Sequence, residues 1–233
     1  MNTKTRAHQR YRLRPTNKFK DGEIVPGVTT IIDVLNKPAL LPWANKLGLQ
    51  GIEVRKYVDD KADIGTLAHA MIINELLHKL TDTSDYSKNQ IDAAENAALS
   101  FYEWLKKHCL DVIYAEIPVV SEKYKFGGQW DICGLVDKKK ELIDLKTGSG
   151  IYEEHYYQIG GYLILSEDCH DNEKEYHIKP DQVRILNIPR SEDENFSEVI
   201  LSGKMMDLSK EMFLDCLSIY NRKKEIARLM KRS

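Results

Sequence analysis

The sequence predicts an α/β fold, with one core of sheet and helices and with helical additions before and after it. At 233 residues the chain is long enough to bury one sizeable core, and no repeat or low-complexity linker divides it. Apolar residues recur at helical spacing over 63–80 and 90–108. Segments rich in β-branched and aromatic residues follow over 112–147 and return at 183–190, on either side of a helical pattern at 153–166.

The helices at the two ends of the chain are predicted from local signals. "PGVTTIIDVL" begins with a Pro-Gly turn, and a threonine after it is suited to cap a short helix. "PALLPWANKLGL" predicts short helical pieces broken by Pro42 and Gly48. The second long helix ends in the basic "KKH", which suits a helix C-terminus. Residues 204–231 predict one long amphipathic helix or a pair of helices.

The strands are predicted in the middle of the chain. "VIYAEIPVV", "KFGGQWDICGLVD" and "ELIDLKT" are expected to form three consecutive antiparallel strands, and "VRILNIPR" a fourth strand after an intervening helix. We therefore expect a single domain over 1–233. Its parts are a mainly helical stretch (1–110), an α/β core (111–190) and a C-terminal helical stretch (191–233).

Composition excludes several classes of protein. The apolar content of 42% and charged content of 30% are ordinary for a soluble globular chain, and no apolar run approaches the roughly 20 residues of a membrane span. The basic start lacks the apolar segment of a secretory signal, so the expected compartment is the cytoplasm. Without a CxxC pair, a zinc or iron–sulfur site built on cysteines is not expected. The cysteines stand singly: Cys109, Cys133, Cys169 and Cys216.

Basic residues cluster at both ends of the chain although the net charge is -2. The clusters are Lys4, Arg6, Arg10, Arg12, Arg14, Lys18 and Lys20 before the first acidic residue, and Arg222, Lys223, Lys224, Arg228, Lys231 and Arg232 near the end. Two interpretations remain open, solvated termini or surfaces that bind phosphate groups.

"WDICGLVDKKKELIDLK" is interpreted as a hairpin with Lys138-Lys139 at its tip. Cys133 then faces Asp144, Asp131 faces Lys146, and all four side chains share one face of the sheet. Two close carboxylates are unfavourable unless a cation neutralises them, and hard oxygen ligands suit Mg²⁺ or Mn²⁺. A lysine beside such a metal can orient or deprotonate a water and stabilise charge on a phosphate. The pattern therefore indicates a metal site for phosphodiester hydrolysis. The alternative is an exposed strand face with an ordinary Asp–Lys pair.

Other polar residues lie in apolar surroundings elsewhere in the core. His69 in "GTLAHAMI" is either a buried core histidine or a member of the carboxylate site. Glu116 is either a site carboxylate or a surface residue of an edge strand. Gln158 and Tyr162 are four apart, so they share a helix face. Gly160-Gly161 between them is unfavourable in a helix by roughly 1 kcal/mol each, which a close approach to the sheet or to a phosphate backbone would explain.

Together these motifs resemble the RecB-like branch of the PD-(D/E)XK nuclease superfamily, in particular phage exonucleases and the mitochondrial genome maintenance exonuclease. "GVTTIIDVLNKPALLPWA" is also similar to the opening of the phage-type proteins, and the resemblance spans roughly residues 25 to 165. The motifs, in order, are GTLAH (65–69), AEIPV (115–119), GGQWD (127–131), IDLKTG (143–148) and QIGGY (158–162).

The resemblance implies a restriction-endonuclease-like core, a central mixed sheet flanked by helices, with an N-terminal helical addition. It implies Mg²⁺ or Mn²⁺ held by His69, Asp131, Asp144 and the carbonyl of Leu145. It makes Lys146 the catalytic lysine. It makes Glu116 either a metal ligand or a residue next to the ligands. It implies that Gln158 and Tyr162 contact DNA and help to order the active site.

Three departures from the pattern accompany the resemblance. Trp130 precedes the first aspartate where other members have proline, and Leu145 separates Asp144 from Lys146. The cysteines of the iron–sulfur relatives are missing, which argues against that subgroup.

The expected activity is that of a metal-dependent DNA exonuclease acting from DNA ends, with recombination or replication proteins as partners. The first alternative is a structure-specific or non-specific endonuclease of the same fold. The second is a DNA-binding or assembly module with a vestigial site. No GxxxxGK[ST] loop is present, so a fused helicase is not expected in this chain.

Overall fold

The computed structural model describes residues 10–167, 169–171 and 175–231. A large mixed sheet with helices on both faces forms the centre of the molecule, so the predicted α/β class is confirmed. The helices are α1 (Val28–Ile32), α2 (Leu40–Leu49), α3 (Val54–Leu76), α4 (Lys88–Leu105), α5 (Glu153–Glu167) and α6 (Lys204–Met230). The strands are β1 (Tyr11–Arg12), β2 (Ile24–Val25), β3 (Leu110–Ser121), β4 (Phe126–Val136), β5 (Lys139–Lys146), β6 (Cys169–His170), β7 (Glu175–Tyr176), β8 (Gln182–Asn187) and β9 (Ser197–Leu201).

The main sheet has seven strands in the order β7-β6-β3-β4-β5-β8-β9. Strands β3, β4 and β5 pair consecutively and antiparallel, as the sequence predicts. Strand β8 then pairs parallel to β5, and α5 lies in the connection between them. The carboxyl ends of β5 and β8 consequently meet at one edge of the sheet, where ligands commonly bind in α/β proteins.

Each face of the sheet has its own apolar core. Along β5, Leu142 belongs to one core and Ile143 and Leu145 to the other, as the alternation of a strand requires. The first core lies under α1, α5 and α6 and includes Val28, Trp130, Cys133, Leu142, Tyr162, Val183 and Phe213. The second core lies under α3 and α4 and includes Leu67, Ile72, Phe101, Ile132, Ile143, Leu145 and Leu186.

The register of the β4–β5 hairpin differs from the predicted one. Cys133 pairs with Leu142 and not with Asp144, and the tip is Asp137-Lys138 and not Lys138-Lys139. Both tip residues have positive φ, 49° and 73°, as a two-residue turn between twisted strands requires. The register is therefore shifted by two residues, which changes the pairing but leaves the side chains of the paired segments, 132–136 and 139–143, on their predicted faces.

Several helix boundaries also differ from the expectations. Helix α3 begins at Val54, well before residue 63. Helix α2 is continuous, since Pro42 lies in its first turn, where no intrahelical N–H bond is needed. The capping position before α1 is occupied by Gly27, and no side chain of the described residues caps this end of the helix. The prediction that a threonine caps this helix is therefore wrong. Helix α6 is one helix over its whole length.

The N-terminal basic run is described only from residue 10 onward, and Lys4 and Arg6 lie outside the described residues. Arg12 donates to the carbonyl oxygens of Asp21 and Gly22, and Arg14 pairs with Glu175 at 2.8 Å. At the other end, Arg232 also lies outside the described residues. No helix in the described parts of the chain is long and apolar enough to cross a bilayer.

Candidate active site

Helix α3 brings His69 to the carboxylate of Asp131, with 3.3 Å between His69 Nδ1 and Asp131 Oδ1. The approach depends on Gly65, one turn earlier on the same face of the helix. A Cβ on Gly65 would lie 2.6 Å from the hydroxyl oxygen of Thr147, just beyond the end of β5. Glycine therefore allows α3 to pass close to the strand end and places His69 at the acidic residues of the sheet.

Asp131 lies at a break in the regular alternation of β4. Trp130 belongs to the first core and Ile132 to the second, although residues two apart in a regular strand share a face. His69 consequently reaches Asp131 from the helix layer that covers the second core. The prediction that Asp131 shares one regular strand face with Cys133, Asp144 and Lys146 is therefore too simple.

Glu116 in the neighbouring strand β3 lies at a matching break. Ala115 packs against the second core and Ile117 against the first, and Glu116 between them has a φ of 49°. A positive φ is uncommon for a residue with a side chain, and such strain is often found at functional sites. Glu116 is partly exposed and, with Asp131, lines the cavity described below. Partial burial, reinforced by the charge of Asp131, raises the pKa of Glu116.

Two further contacts tie Asp131 and Asp144 to the end of β5. The backbone N–H of Leu145 donates to Asp131 Oδ2 over 2.7 Å. Asp144 Oδ2 lies 2.5 Å from Lys146 Nζ, in an ion pair whose side chains are 4% and 17% exposed. The same Asp144 oxygen is buried and has no hydrogen-bond partner among the described residues, so its contact with the ammonium is mainly electrostatic.

The charges in this cluster shift the pKa values of its members. Burial opposes ionisation of Asp131, but His69, Lys146 and the N–H of Leu145 outweigh it and lower the pKa of Asp131. Burial opposes protonation of His69, but Asp131 outweighs it and raises the pKa of His69. Burial raises the pKa of Asp144, and the charge of Asp131 adds to the effect against that of Lys146. A further cation beside Asp144 would therefore be favourable.

Gln158 and Tyr162 lie on α5 over the first core, and Gln158 Nε2 donates to the Tyr162 hydroxyl at 2.7 Å. Tyr162 is buried, and desolvation followed by the charges of Asp144 and Asp131 holds the pKa of its hydroxyl well above the usual range. Tyr162 is therefore close enough to the acidic cluster for its hydroxyl to be affected by the charges of the two aspartates. Gln158 is connected to the cluster only by its hydrogen bond to Tyr162 among the contacts of the described residues.

The glycine pair between them has a different role from the predicted one. A Cβ on Gly160 would lie 1.9 Å from the carbonyl oxygen of Ser209, and one on Gly161 would lie 2.8 Å from Phe213. Both neighbours belong to α6. The close approach is thus between two helices of the protein, and neither glycine contacts the sheet closely enough to account for its presence.

A cavity of about 520 Å³ opens beside the acidic cluster. It contains residues that the sequence did not indicate. Lys61 precedes Gly65 and His69 at four-residue steps, which places it on the same face of α3. Arg190 follows β8 at its carboxyl end, and this position after an apolar strand is the signal that could have identified it. The residues lining the cavity are Val58, Lys61, Ala62, Gly65, Thr66, His69, Glu116, Gln129, Asp131, Thr147 and Arg190.

His155 was also not identified from the sequence. It lies near the start of α5, where its Nδ1 accepts a hydrogen bond from the backbone N–H of Tyr152 at 3.1 Å. Burial, then the charge of Lys146, lowers the pKa of His155 to about 4. The ring is therefore neutral at pH 7, with its remaining proton on Nε2, because Nδ1 is the acceptor.

The donor set fits a hard divalent cation in its chemistry, with two carboxylates, a backbone carbonyl and an imidazole. In residues 10–167, 169–171 and 175–231, however, no group of three or more His, Cys, Asp or Glu side chains is arranged to hold a metal ion. Asp131 is engaged by His69 and Leu145, and Asp144 by Lys146. A cation bound there would share these carboxylates with the present contacts to His69 and Lys146.

Comparisons with known proteins give little further information. No protein-family model matches the chain, and the comparison with curated proteins also found no match. Among solved structures, the crystal structure of SSO0001 is similar over 63% of this chain and 84% of that chain, with 16% sequence identity and a TM-score of 0.27. A likeness of this strength carries no argument about fold or function.

Proposed function

We propose that the chain is a metal-dependent DNA exonuclease with a restriction-endonuclease-like PD-(D/E)XK core. The observation that carries the proposal is the convergence of four side chains from three elements. His69 of α3, Asp131 of β4, and Asp144 and Lys146 of β5 lie together at the edge where β5 and β8 end. Such an acidic cluster with one lysine beside an open cavity suits hydrolysis of a phosphodiester.

Each residue has a role in this proposal that its surroundings support. The Lys146 ammonium orients the attacking water and stabilises negative charge that develops on the phosphate oxygens. Asp131 and Asp144 are the carboxylates that would hold Mg²⁺ or Mn²⁺, with the Leu145 carbonyl and the His69 imidazole. When bound, that ion supplies positive charge at the reacting phosphate and makes the water a better nucleophile.

The carbonyl of Leu145 is suitably directed for this role. Its N–H donates to Asp131 on β4, and a strand residue directs its N–H and C=O toward the same neighbouring strand. The carbonyl therefore faces the strand that bears Asp131.

A cleavage assay tests the proposal. End-labelled linear single- and double-stranded DNA and a closed single-stranded circle are incubated with Mg²⁺, Mn²⁺ or EDTA. The expected result is loss of the end label from linear DNA with Mg²⁺ or Mn²⁺, no reaction with EDTA, and an intact circle. Rapid cutting of the circle would favour an endonuclease of the same fold. Absence of cleavage under every condition would leave a DNA-binding module.

A further inference from the structure

Two cationic side chains line the cavity beside the acidic cluster and have no part in the chemistry described so far. Lys61 projects from α3, on the helix face that also bears Gly65 and His69. Arg190 comes from the segment after β8, which is fixed because Asn96 Nδ2 donates to the carbonyl of Pro189 at 3.1 Å. Both residues are therefore held by ordered elements at the wall of the cavity.

Arg190 is paired with a single carboxylate. Its backbone N–H donates to Glu194 Oε2 at 2.8 Å, and its Nε lies 3.2 Å and 3.1 Å from the two carboxylate oxygens. Nη2 also contacts Glu194, so one edge of the guanidinium is engaged. In the described parts of the chain, the remaining nitrogen, Nη1, donates no hydrogen bond. The planar guanidinium suits the oxygens of a phosphate group.

Lys61 lines the same cavity as Arg190, and its charge acts on the same carboxylate. Burial opposes ionisation of Glu194, but hydrogen bonds from Arg190, and then the charges of Arg190 and Lys61, outweigh it and lower the pKa of Glu194. Lys61 Nζ also lies 5.5 Å from the centre of the Tyr57 ring. Two cations thus line this cavity, and only Arg190 forms an ion pair with Glu194 in the described parts of the chain.

We propose that Lys61 and Arg190 form a subsite for a non-scissile internal phosphate of a nucleic acid chain bound in the cavity. The subsite rests on the proposed nuclease function, since it places a second phosphate of the substrate beside the reacting one. Glu194 occupies the guanidinium edge in the free protein and competes with the phosphate for Arg190. Phosphate contacts of this kind hold the chain in position without regard to base sequence.

Fluorescence anisotropy tests the subsite on the full chain in EDTA, where no hydrolysis is expected. The probe is a labelled single-stranded oligonucleotide of mixed sequence, titrated across roughly 50 to 300 mM KCl because phosphate contacts are salt-dependent. Arg190→Gln should weaken binding about tenfold through loss of a charge-assisted contact. It should also lower the salt slope by about 0.7, as for one phosphate of a single strand. Glu194→Gln should tighten binding, because it removes the competing carboxylate.

The two variants separate binding from a merely structural role. Both break the same ion pair, so both should change the melting temperature in the same direction, while their effects on affinity are opposite. Arg55→Gln is the matched control: Arg55 pairs with Asp59 four residues later at 4.0 Å, is 89% exposed, and is outside the cavity lining. Unchanged affinity in both Arg190→Gln and Glu194→Gln would overturn the subsite, and the ion pair would then only stabilise the segment after β8.

Two further comparisons complete the test. Oligonucleotides with a 5′-phosphate and with a 5′-hydroxyl should lose the same affinity on Arg190→Gln, and a loss confined to the phosphorylated strand would overturn the internal-phosphate assignment. Failure of the wild type to cleave DNA would overturn the proposed activity, but it would not alter the opposite shifts in affinity. The two proposals therefore fail by different measurements.

Discussion

Asp131 Oδ2 accepts a hydrogen bond from the backbone N–H of Leu145 at 2.7 Å. In a regular pair of strands this N–H of β5 would donate to a backbone carbonyl, and here it donates to a side chain of β4. The bond fixes the Asp131 carboxylate next to Asp144, and it joins the two strands at the position where the alternation of β4 breaks. The acidic pair of the candidate site is therefore held by the backbone of the sheet as well as by His69 and Lys146.

Replacing Lys146 tests whether this cluster hydrolyses DNA. Lys146→Ala should lower the cleavage rate at least ~100-fold, because a charge that stabilises the transition state contributes several kcal/mol. Lys140→Ala is the control, since Lys140 lies on the same strand but near its other end. The fold should persist in both variants by circular dichroism. Equal cleavage rates in Lys146→Ala and wild type would contradict the assignment.

Replacing His69 tests whether it is a metal ligand. His69→Gln should weaken Mn²⁺ binding about tenfold or more, the range expected when a residue that supports a metal site is lost. His108→Gln provides a control of the same kind, since His108 Nδ1 lies 2.7 Å from Asp137 Oδ2, far from the strand end that bears Lys146. Isothermal titration calorimetry measures both. Wild-type Mn²⁺ affinity in His69→Gln would leave His69 as a partner of Asp131 only.

The consecutive pairing of β3, β4 and β5 was predictable from the sequence, and so was the shared face of Asp144 and Lys146, because both depend on local patterns. The short strands β1, β2, β6, β7 and β9 were not predicted. Alternating apolar residues specify β3, β4 and β5, and the shared face of Asp144 and Lys146 follows from the period of a strand. The roles assigned to these residues stay predictions.

Other features depend on tertiary structure or on turn chemistry. The hairpin register was misplaced because an Asp-Lys tip with two positive φ values was not expected. The break in alternation at Asp131 leaves no mark in a pattern of apolar residues. Lys61 and Arg190 are distant in sequence, and they line the same cavity only because the end of β8 lies on the side of the sheet end that α3 covers.

Removing the hydroxyl of Tyr162 tests the link from α5 to the acidic cluster. Tyr162→Phe should reduce cleavage at least ~10-fold but change the free energy of unfolding by only about 0.5–1.5 kcal/mol, as for one hydrogen bond. An alanine at this buried position would confuse the two effects, since a core cavity costs roughly 3–5 kcal/mol. Tyr157→Phe on the same helix, which loses a bond to Glu153 of 3.1 Å, should leave cleavage unchanged. A stability loss with normal cleavage in Tyr162→Phe would make the hydroxyl structural.

His155 should make the protein less stable below neutral pH. Its pKa is about 4 in the folded protein and about 6.5 when unfolded. Between these values the unfolded chain binds the additional proton, so the free energy of unfolding rises with pH. The contribution of His155 to this free energy is fully present above about pH 6.5. It is lost as pH falls toward 4. Urea unfolding at pH 6.5 and at pH 5 should show a smaller decrease in His155→Gln than in wild type. The exposed His177→Gln is the control, and equal decreases in all three proteins would refute the assignment.

Adding a methyl group to Gly160 should destabilise the protein, although alanine favours helices. The new Cβ would lie 1.9 Å from the Ser209 carbonyl oxygen, and because that oxygen belongs to the backbone of α6, the two helices would have to separate. Overpacking of this kind costs typically 1–3 kcal/mol, more than the roughly 1 kcal/mol gained in helix propensity. Gly48→Ala is the matched control, since Gly48 also lies in a helix but a Cβ there would meet no atom within 4 Å. It should stabilise the protein by roughly 0.5–1 kcal/mol. Urea unfolding followed by circular dichroism measures both, and a stabilised Gly160→Ala would mean that the contact between α5 and α6 is looser than the structure shows.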